Sequence, residues 1–464
     1  MPHPWPPSPV LPLLFSLAGA WAGVCAGICA DPAAAEIREV SVTGARDIGP
    51  FDGRTYREVS ARMRGAAPGG AYDVPLTLAF PRSASDFNGF TVVDIVNTIT
   101  MFMEGFATGG GPLPLARIHM GDAFLFGRGN GYVAVIWDDR ALAQLGDGAI
   151  AARGDGYTVL RDAAELARRP ARHLPADAGI AAADAARTIA YGYSQTGSLL
   201  RGWLFDNRNR AEGPPVFDGA IPAGAGGWCR DLASEDGQGC AGPVSDGAKV
   251  IALLPEGDVE WGGVDERGAA PDYRLIELAG VSHIPATAAD FRALGMPEQN
   301  PVDFGPAFRA ALVNLEDWLD GRDPPPSLAI ELSDAPGSQT LMGDPLAPLA
   351  RDADGNALGG LRLPHMPSQR ADGAAAGAPL GVYTGLAPDR QEENFYFAIA
   401  GTFTPFGPER LRALYPDHAA YVARVAAAAE DLAARRYILP EEATLAARFG
   451  PEYEDWCRLT RRWL

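Results

Sequence analysis

Six apolar runs, each closed by turn residues, constrain the fold of this chain more than any other feature. They occupy residues 90–96, 132–137, 188–193, 216–221, 249–254 and 273–278. Runs without polar alternation suit strands covered on both faces, which belong to a mainly parallel sheet with helices between the strands. The gaps agree. Apolar residues at helical spacing predict helices over residues 163–169, 197–205 and 306–319. Ahead of this block, residues 37–42 and 74–80 read as short β runs broken by Gly and Pro.

Composition sets the outer limits. With 464 residues, 47% apolar and 21% charged, the chain can bury a full core without staples. A formal net charge of -19 excludes phosphate-backbone binding, which needs basic surface, so no nucleic-acid partner is expected. Residues 11–30 are apolar and uncharged, and small residues follow. This predicts a signal peptide over residues 1–30 and a secreted or periplasmic protein with no stable membrane partner after cleavage. No Lys or Arg precedes the apolar stretch, which leaves an uncleaved anchor open. Cys25 and Cys29 fall inside the leader; Cys229, Cys240 and Cys457 remain. Cys229 and Cys240 flank a polar, Gly-containing stretch, and in an oxidising compartment they would close a local disulfide; two unpaired thiols are the alternative.

The chemistry concentrates at Gly192-Tyr193-Ser194-Gln195-Thr196-Gly197, which directly follows a predicted strand and opens a predicted helix. A turn this tight needs small residues around the serine, and it lifts the hydroxyl to where a base can reach it. Thr196 stands where the second glycine of G-x-S-x-G is usual, and Gly197 comes one later. A serine hydroxyl needs a base, and on such a sheet acid and histidine follow at the ends of later strands. His283 sits just past the run at 273–278. His119 and His173 precede Ser194, and His365 and His418 follow no strand of the series. For the acid, Asp258 lies in the turn after the run at 249–254, with Glu256 and Glu260 as competitors. One oxyanion donor is expected from the backbone of Gln195. The second is expected near Asn97-Thr98, unless Asn97 only satisfies a turn.

These residues resemble a known family. The stretch from Gly192 to Arg201, the Val216-Phe217-Asp218-Gly219 segment, the strand ending in Asn97, the Ala279-Gly280-Val281-Ser282-His283 end and residues 352–363 are similar to the bacterial α/β-hydrolase domain family of the "domain 10" type. The resemblance spans roughly residues 37–450 and implies an α/β-hydrolase fold with a serine triad, but no substrate. On the family pattern Arg201 is structural, paired with an acidic residue. Residues 255–261 depart from the pattern, so the acid stays open.

Together these readings predict an α/β protein: an α/β-hydrolase core over residues 37–322, its mainly parallel sheet flanked by helices. A C-terminal extension over 323–464 packs on that core, Gly/Pro/Ala-rich to about Pro388 and mostly helical beyond, with residues 411–436 at helical spacing. The predicted activity is hydrolysis of a small carboxylic ester through an acyl-enzyme, without cofactor or metal. An amidase, thioesterase or acyltransferase, a depolymerase, or a non-catalytic binding protein on the same fold are the alternatives. Trp137, Trp203, Trp228 and Trp261 are candidates for either an apolar pocket or the core. Gly109-Gly110-Gly111 lacks the Lys-Ser/Thr of a phosphate loop, and the Asp352–Asn356 segment lacks the late Glu of a calcium loop.

Overall fold

The structure is a computed structural model. It describes residues 37–99, 111–180, 184–185, 187–210, 214–232, 237–285, 291, 295–337, 339–364, 368–369 and 375–444. The predicted leader, Cys25, Cys29, Gly109, Gly110, His365 and Cys457 lie outside them.

Twelve strands run from the start of the described chain to residue 278: β1 (Ile37–Phe51), β2 (Arg54–Ala67), β3 (Gly70–Pro81), β4 (Phe90–Ile95), β5 (Gly131–Val135), β6 (Ala149–Ile150), β7 (Arg187–Tyr193), β8 (Gly219–Ala223), β9 (Trp228–Arg230), β10 (Gly237–Gly239), β11 (Lys249–Pro255) and β12 (Tyr273–Leu278). Ten of them make one sheet in the order β1-β2-β3-β5-β4-β7-β8-β11-β12, with β6 beside β3. From β5 to β12 every pairing is parallel. β1, β2 and β3 are antiparallel, and β3 joins β5 antiparallel. The remaining two, β9 and β10, form a separate hairpin.

The helices are α1 (Leu115–Met120), α2 (Asp122–Gly127), α3 (Asp139–Leu145), α4 (Gly156–Arg168), α5 (Pro170–His173), α6 (Gln195–Phe205), α7 (Glu256–Glu260), α8 (Gly305–Leu319), α9 (Phe395–Ile399), α10 (Pro408–Leu414) and α11 (His418–Ala434). Successive side chains of a strand point to opposite faces, so each fully buried strand feeds two cores. Along β11, Val250, Ala252 and Leu254 join one core, with Leu160 and Leu166 of α4 and Leu200 and Trp203 of α6. Ile251 and Leu253 join the other, with Leu115 of α1 and Phe308, Leu312 and Leu315 of α8. Each of the buried Val, Leu, Ile and Phe side chains contributes about 1.5–3 kcal/mol.

Three details differ from the sequence reading. The opening β segment is a long antiparallel ribbon, with β2 running unbroken from Arg54 to Ala67. The strand predicted at 216–221 begins at Gly219, because Asp218 turns its carboxylate back onto the Thr188 N–H (2.9 Å) and Arg168 (2.7 Å). The helical stretch at 411–436 is split near Pro416, and Asp417 caps α11 by accepting from the Ala420 N–H at 2.8 Å. Among the described residues, no helix is long and apolar enough to cross a membrane.

Candidate active site

β7 ends at Tyr193 and α6 begins at Gln195, so Ser194 alone makes the turn. Its backbone is held at φ +59° and ψ -117°, a conformation that costs on the order of 1–3 kcal/mol in an L-residue. Two hydrogen bonds hold it there: Ser194 N–H to the Ala223 carbonyl, and Ser198 N–H to the Ser194 carbonyl, both 2.9 Å. The glycines are sterically required. A Cβ on Gly192 would lie 2.3 Å from the Thr196 carbonyl oxygen, and one on Gly197 would lie 2.2 Å from that of Ala223. Thr196 has its own task. Its hydroxyl accepts from the Tyr193 N–H (3.0 Å) and donates to the Tyr193 carbonyl (3.2 Å), stitching the turn shut.

The structure brings Ser194, His283 and Asp258 together from the ends of three strands. Ser194 Oγ lies 2.8 Å from His283 Nε2. His283 Nδ1 lies 2.9 and 3.0 Å from the two Asp258 carboxylate oxygens. Asp258 is on α7, directly after β11, and is only 4% exposed. The Tyr193 phenol donates to the His283 carbonyl, so the residue before the serine also fixes the histidine loop.

The two competing acids are engaged elsewhere. Glu256 is fully buried; it accepts from the Gly280 and Gly385 N–H groups and pairs with Arg351 at 3.1 Å. Glu260 pairs with the same guanidinium at 2.9 Å. Burial, with the Glu256 charge beside it, pushes the Glu260 carboxyl up from the ordinary carboxylate range, against the pull of Arg351.

The oxyanion donors separate in the same way. The Gln195 N–H is the first of α6 and has no acceptor within the helix. Asn97 is partly engaged: its N–H donates to the Leu113 carbonyl (3.0 Å) and one of its two Nδ2–H donors to the Tyr193 carbonyl (2.9 Å). Asn97 thus fills the turn-satisfying role, with its second Nδ2–H left for the expected oxyanion contact at the cavity it lines. The adjacent N–H groups of Thr98 and Ile99 are also taken, by Gln195 Oε1 and Asn97 Oδ1 at 3.0 Å each. Gln195 Nε2 is buried without a partner among the described residues.

Ser194 and His283 open onto a cavity of about 520 Å³. Its wall is largely apolar and aromatic, with Leu113, Leu115, Trp228, Trp261, Phe395 and Ile399 among its residues. Trp261 is held by its Nε1–H to Asp344 at 3.2 Å. Trp137 and Trp203 are core residues. Cys229 and Cys240 form a disulfide with Cα atoms 5.6 Å apart, closing the β9–β10 hairpin against the cavity. Arg201 is buried on Glu266 at 2.7 Å and also donates to the Cys240 carbonyl at 2.9 Å.

His119 on α1 also lines the cavity, which sequence order did not suggest. It lies in a cage of Tyr193, Phe304 and Phe308, with Nδ1 against the Tyr191 hydroxyl. Burial, with His283 nearby, drives its imidazole down to about 3, so it is neutral at ordinary pH.

A serine alone on a strand-to-helix turn, at the carboxyl end of a mostly parallel sheet with helices on both faces, defines the α/β-hydrolase fold. The sequence profile of the alpha/beta hydrolase domain family matches residues 132–448, and the chain belongs to that family. No curated protein matches the sequence. Among solved structures, the chain is similar to the rice cell wall degrading esterase LipA from Xanthomonas oryzae. One LipA structure is 13% identical at a TM-score of 0.27, over 42% of this chain and 51% of that one. A ligand-bound form is 9% identical at 0.37, over 60% of this chain and 99% of that one. A glucuronoyl esterase from Solibacter usitatus is 13% identical at 0.27, over 78% and 85%. The chain thus spans about half the length of the first LipA structure. Likenesses this distant say nothing of substrate.

Proposed function

We propose that this protein is an exported serine hydrolase that cleaves a carboxylic ester through an acyl-enzyme. One observation carries the reading: Ser194 Oγ, His283 Nε2 and His283 Nδ1–Asp258 form a continuous hydrogen-bonded relay on a strained elbow. Ser194 Oγ attacks the ester carbonyl carbon while His283 Nε2 takes the hydroxyl proton. The carbonyl π pair moves onto oxygen, where the Gln195 N–H and the positive end of α6 stabilise the charge. Collapse expels the alcohol, which takes the proton from His283, and leaves an ester on Ser194. Water then attacks that ester, with His283 again as base, and frees the acid and Ser194. Asp258 keeps Nδ1 protonated and stabilises the imidazolium; it takes no proton. Export is supported by the uncharged apolar stretch at residues 11–30 and by the Cys229–Cys240 disulfide, which suits an oxidising compartment.

A fluorophosphonate probe tests the reading on the purified protein, beside Ser194→Ala and His283→Ala. Labelling of the wild type that is lost in both variants is the expected result. A folded wild-type protein that never labels removes the mechanism and leaves a binding protein on a hydrolase fold.

A further inference from the structure

The cavity wall carries two charged groups that the ester mechanism does not use: Asp344, which accepts from Trp261 Nε1 at 3.2 Å, and the cationic Arg230. Arg230 is on β9, between the disulfide-bonded Cys229 and Asp231, and contributes to the wall that Ser194 and His283 share. It lies two residues from Trp228, so strand alternation puts both side chains on one face of the hairpin. Opposite them in the register are Gly237 and Gly239, which contribute no side chain to cover either.

The Arg230 guanidinium is half-buried and short of a partner. Its Nη1 is buried with no hydrogen bond among the described residues. Asp138, the carboxylate acting on it, is committed elsewhere. It caps α3 by accepting from the Arg140 and Ala141 N–H groups at 2.9 and 3.1 Å, and it pairs with Arg140 at 3.4 Å. Arg140 and Arg153 are near enough to repel Arg230, and together with burial they lower its proton affinity. A buried donor left unpaired is destabilising, the more so when charged. Placing one in a largely apolar wall is a net cost to the free protein, which an anionic ligand would reverse. A planar guanidinium matches a carboxylate through two parallel N–H···O bonds. The hairpin is also rigidly placed. Its disulfide closes it, and α6 packs so closely that a Cβ on Gly202 would lie 2.3 Å from the Arg230 carbonyl oxygen.

We propose that Arg230 is the specificity determinant of this pocket, binding a carboxylate carried by the substrate a few carbons from the scissile ester. The substrate class is then an anionic ester, either the half-ester of a dicarboxylic acid or the ester of a hydroxy acid. This rests on the hydrolase reading above. Trp228 and Trp261 cover the apolar spacer between the two ends.

The test compares kcat/KM for 4-nitrophenyl half-esters of succinic, glutaric and adipic acid with that for 4-nitrophenyl butyrate. A second arm compares butyrate esters of glycolic and lactic acid with ethyl butyrate. Wild type, Arg230→Met and Arg230→Lys are measured in both. The readout is the anionic-to-neutral ratio within each protein, so a general loss of activity does not score. In at least one arm the wild type is expected to favour the anionic ester. Arg230→Met should cut that ratio about 10- to 100-fold, chiefly through KM, and Arg230→Lys should retain part of it. No anionic preference in either arm, or a preference that survives in Arg230→Met, overturns the proposal. If the protein hydrolyses no ester at all, the hydrolase reading fails on its own. Calorimetric titration of glutarate into the wild type and Arg230→Met then decides the site: Arg230-dependent binding supports it, and no binding removes it.

Discussion

Asp258→Asn isolates the acid of the relay, because the substitution keeps the shape and removes only the charge. Asp258 is buried, and both its oxygens lie about 3 Å from His283 Nδ1, at 2.9 and 3.0 Å. In the transition state His283 becomes an imidazolium with its charge about 4 Å from that carboxylate. At an effective dielectric near 20 the attraction is about 4 kcal/mol. Losing it slows the chemical step about 10³-fold. An asparagine can also donate to Nδ1 and set the wrong tautomer, which brings the expected loss to about 10⁴-fold. The assay is the pH profile of kcat and KM on 4-nitrophenyl butyrate, with fluorophosphonate labelling rates and a thermal melt on the same samples. Asp258 acts through His283 and does not touch the substrate, so kcat should fall with KM little changed. Glu256→Gln and Glu260→Gln are the controls, since Arg351 holds both carboxylates away from the histidine. A folded Asp258→Asn protein within tenfold of wild type would refute the assignment, as would a Glu256→Gln protein that loses kcat just as far without losing stability.

Three further outcomes follow from named contacts. Arg351→Met should destabilise the fold by about 3 kcal/mol in urea titration, because it leaves the buried Glu256 charge with only two backbone donors; a loss below about 1 kcal/mol would contradict this. Gly197→Ala should abolish fluorophosphonate labelling or prevent folding, since the new methyl would meet the Ala223 carbonyl at 2.2 Å; near-normal labelling would show the elbow is looser than described. Burial raises the Asp94 carboxyl from 3.8 to about 7, against hydrogen bonds from Tyr132 and the Ala116 N–H. Its protonated form is favoured in the folded state, so its contribution is complete below about pH 4 and lost as pH rises through about 7. Asp94→Asn should therefore gain on wild type by up to about 1.4 kcal/mol per pH unit across that window, and parallel urea midpoints at pH 4.5 and 7.5 would contradict it.

Much of the fold was legible because six strands are buried on both faces and therefore apolar without interruption. β2 was not, although Val59, Ala61 and Met63 alternate with Ser60, Arg62 and Arg64 and supply a period of two. Its half-exposed face carries arginines, which masked the apolar face. The positions of Ser194 and His283 were legible because the elbow needs Gly192 and Gly197 for steric reasons, and because few histidines follow the serine. The sequence put Asp258 ahead of Glu256 and Glu260 only by its place in the turn and could not exclude the other two. All three fall on one five-residue helix, and what separates them is Arg351, more than ninety residues away. The turn role of Asn97 was hidden for a related reason: it donates to Leu113 and Tyr193, and a partner at long sequence separation leaves no local mark. Arg230 and His119 carry no motif at all. Each is informative only through what surrounds it in the folded chain.

The segment after residue 322 is tied into the same site. Gly385 N–H and Arg351 grip Glu256, whose other oxygen holds the Gly280 N–H at the root of the His283 loop. Asp344 holds Trp261 in the cavity wall, and Phe395 and Ile399 complete it. From the elbow side, the Tyr193 phenol holds the His283 carbonyl. The histidine loop is thus clamped between the elbow and residues far downstream, through hydrogen bonds that are buried or part-buried. A site of this kind reaches its geometry only when residues beyond 322 are docked. Cutting the chain there would remove Arg351, Gly385 and much of the cavity wall together, stripping Glu256 of its ion pair and of one backbone donor two residues from Asp258.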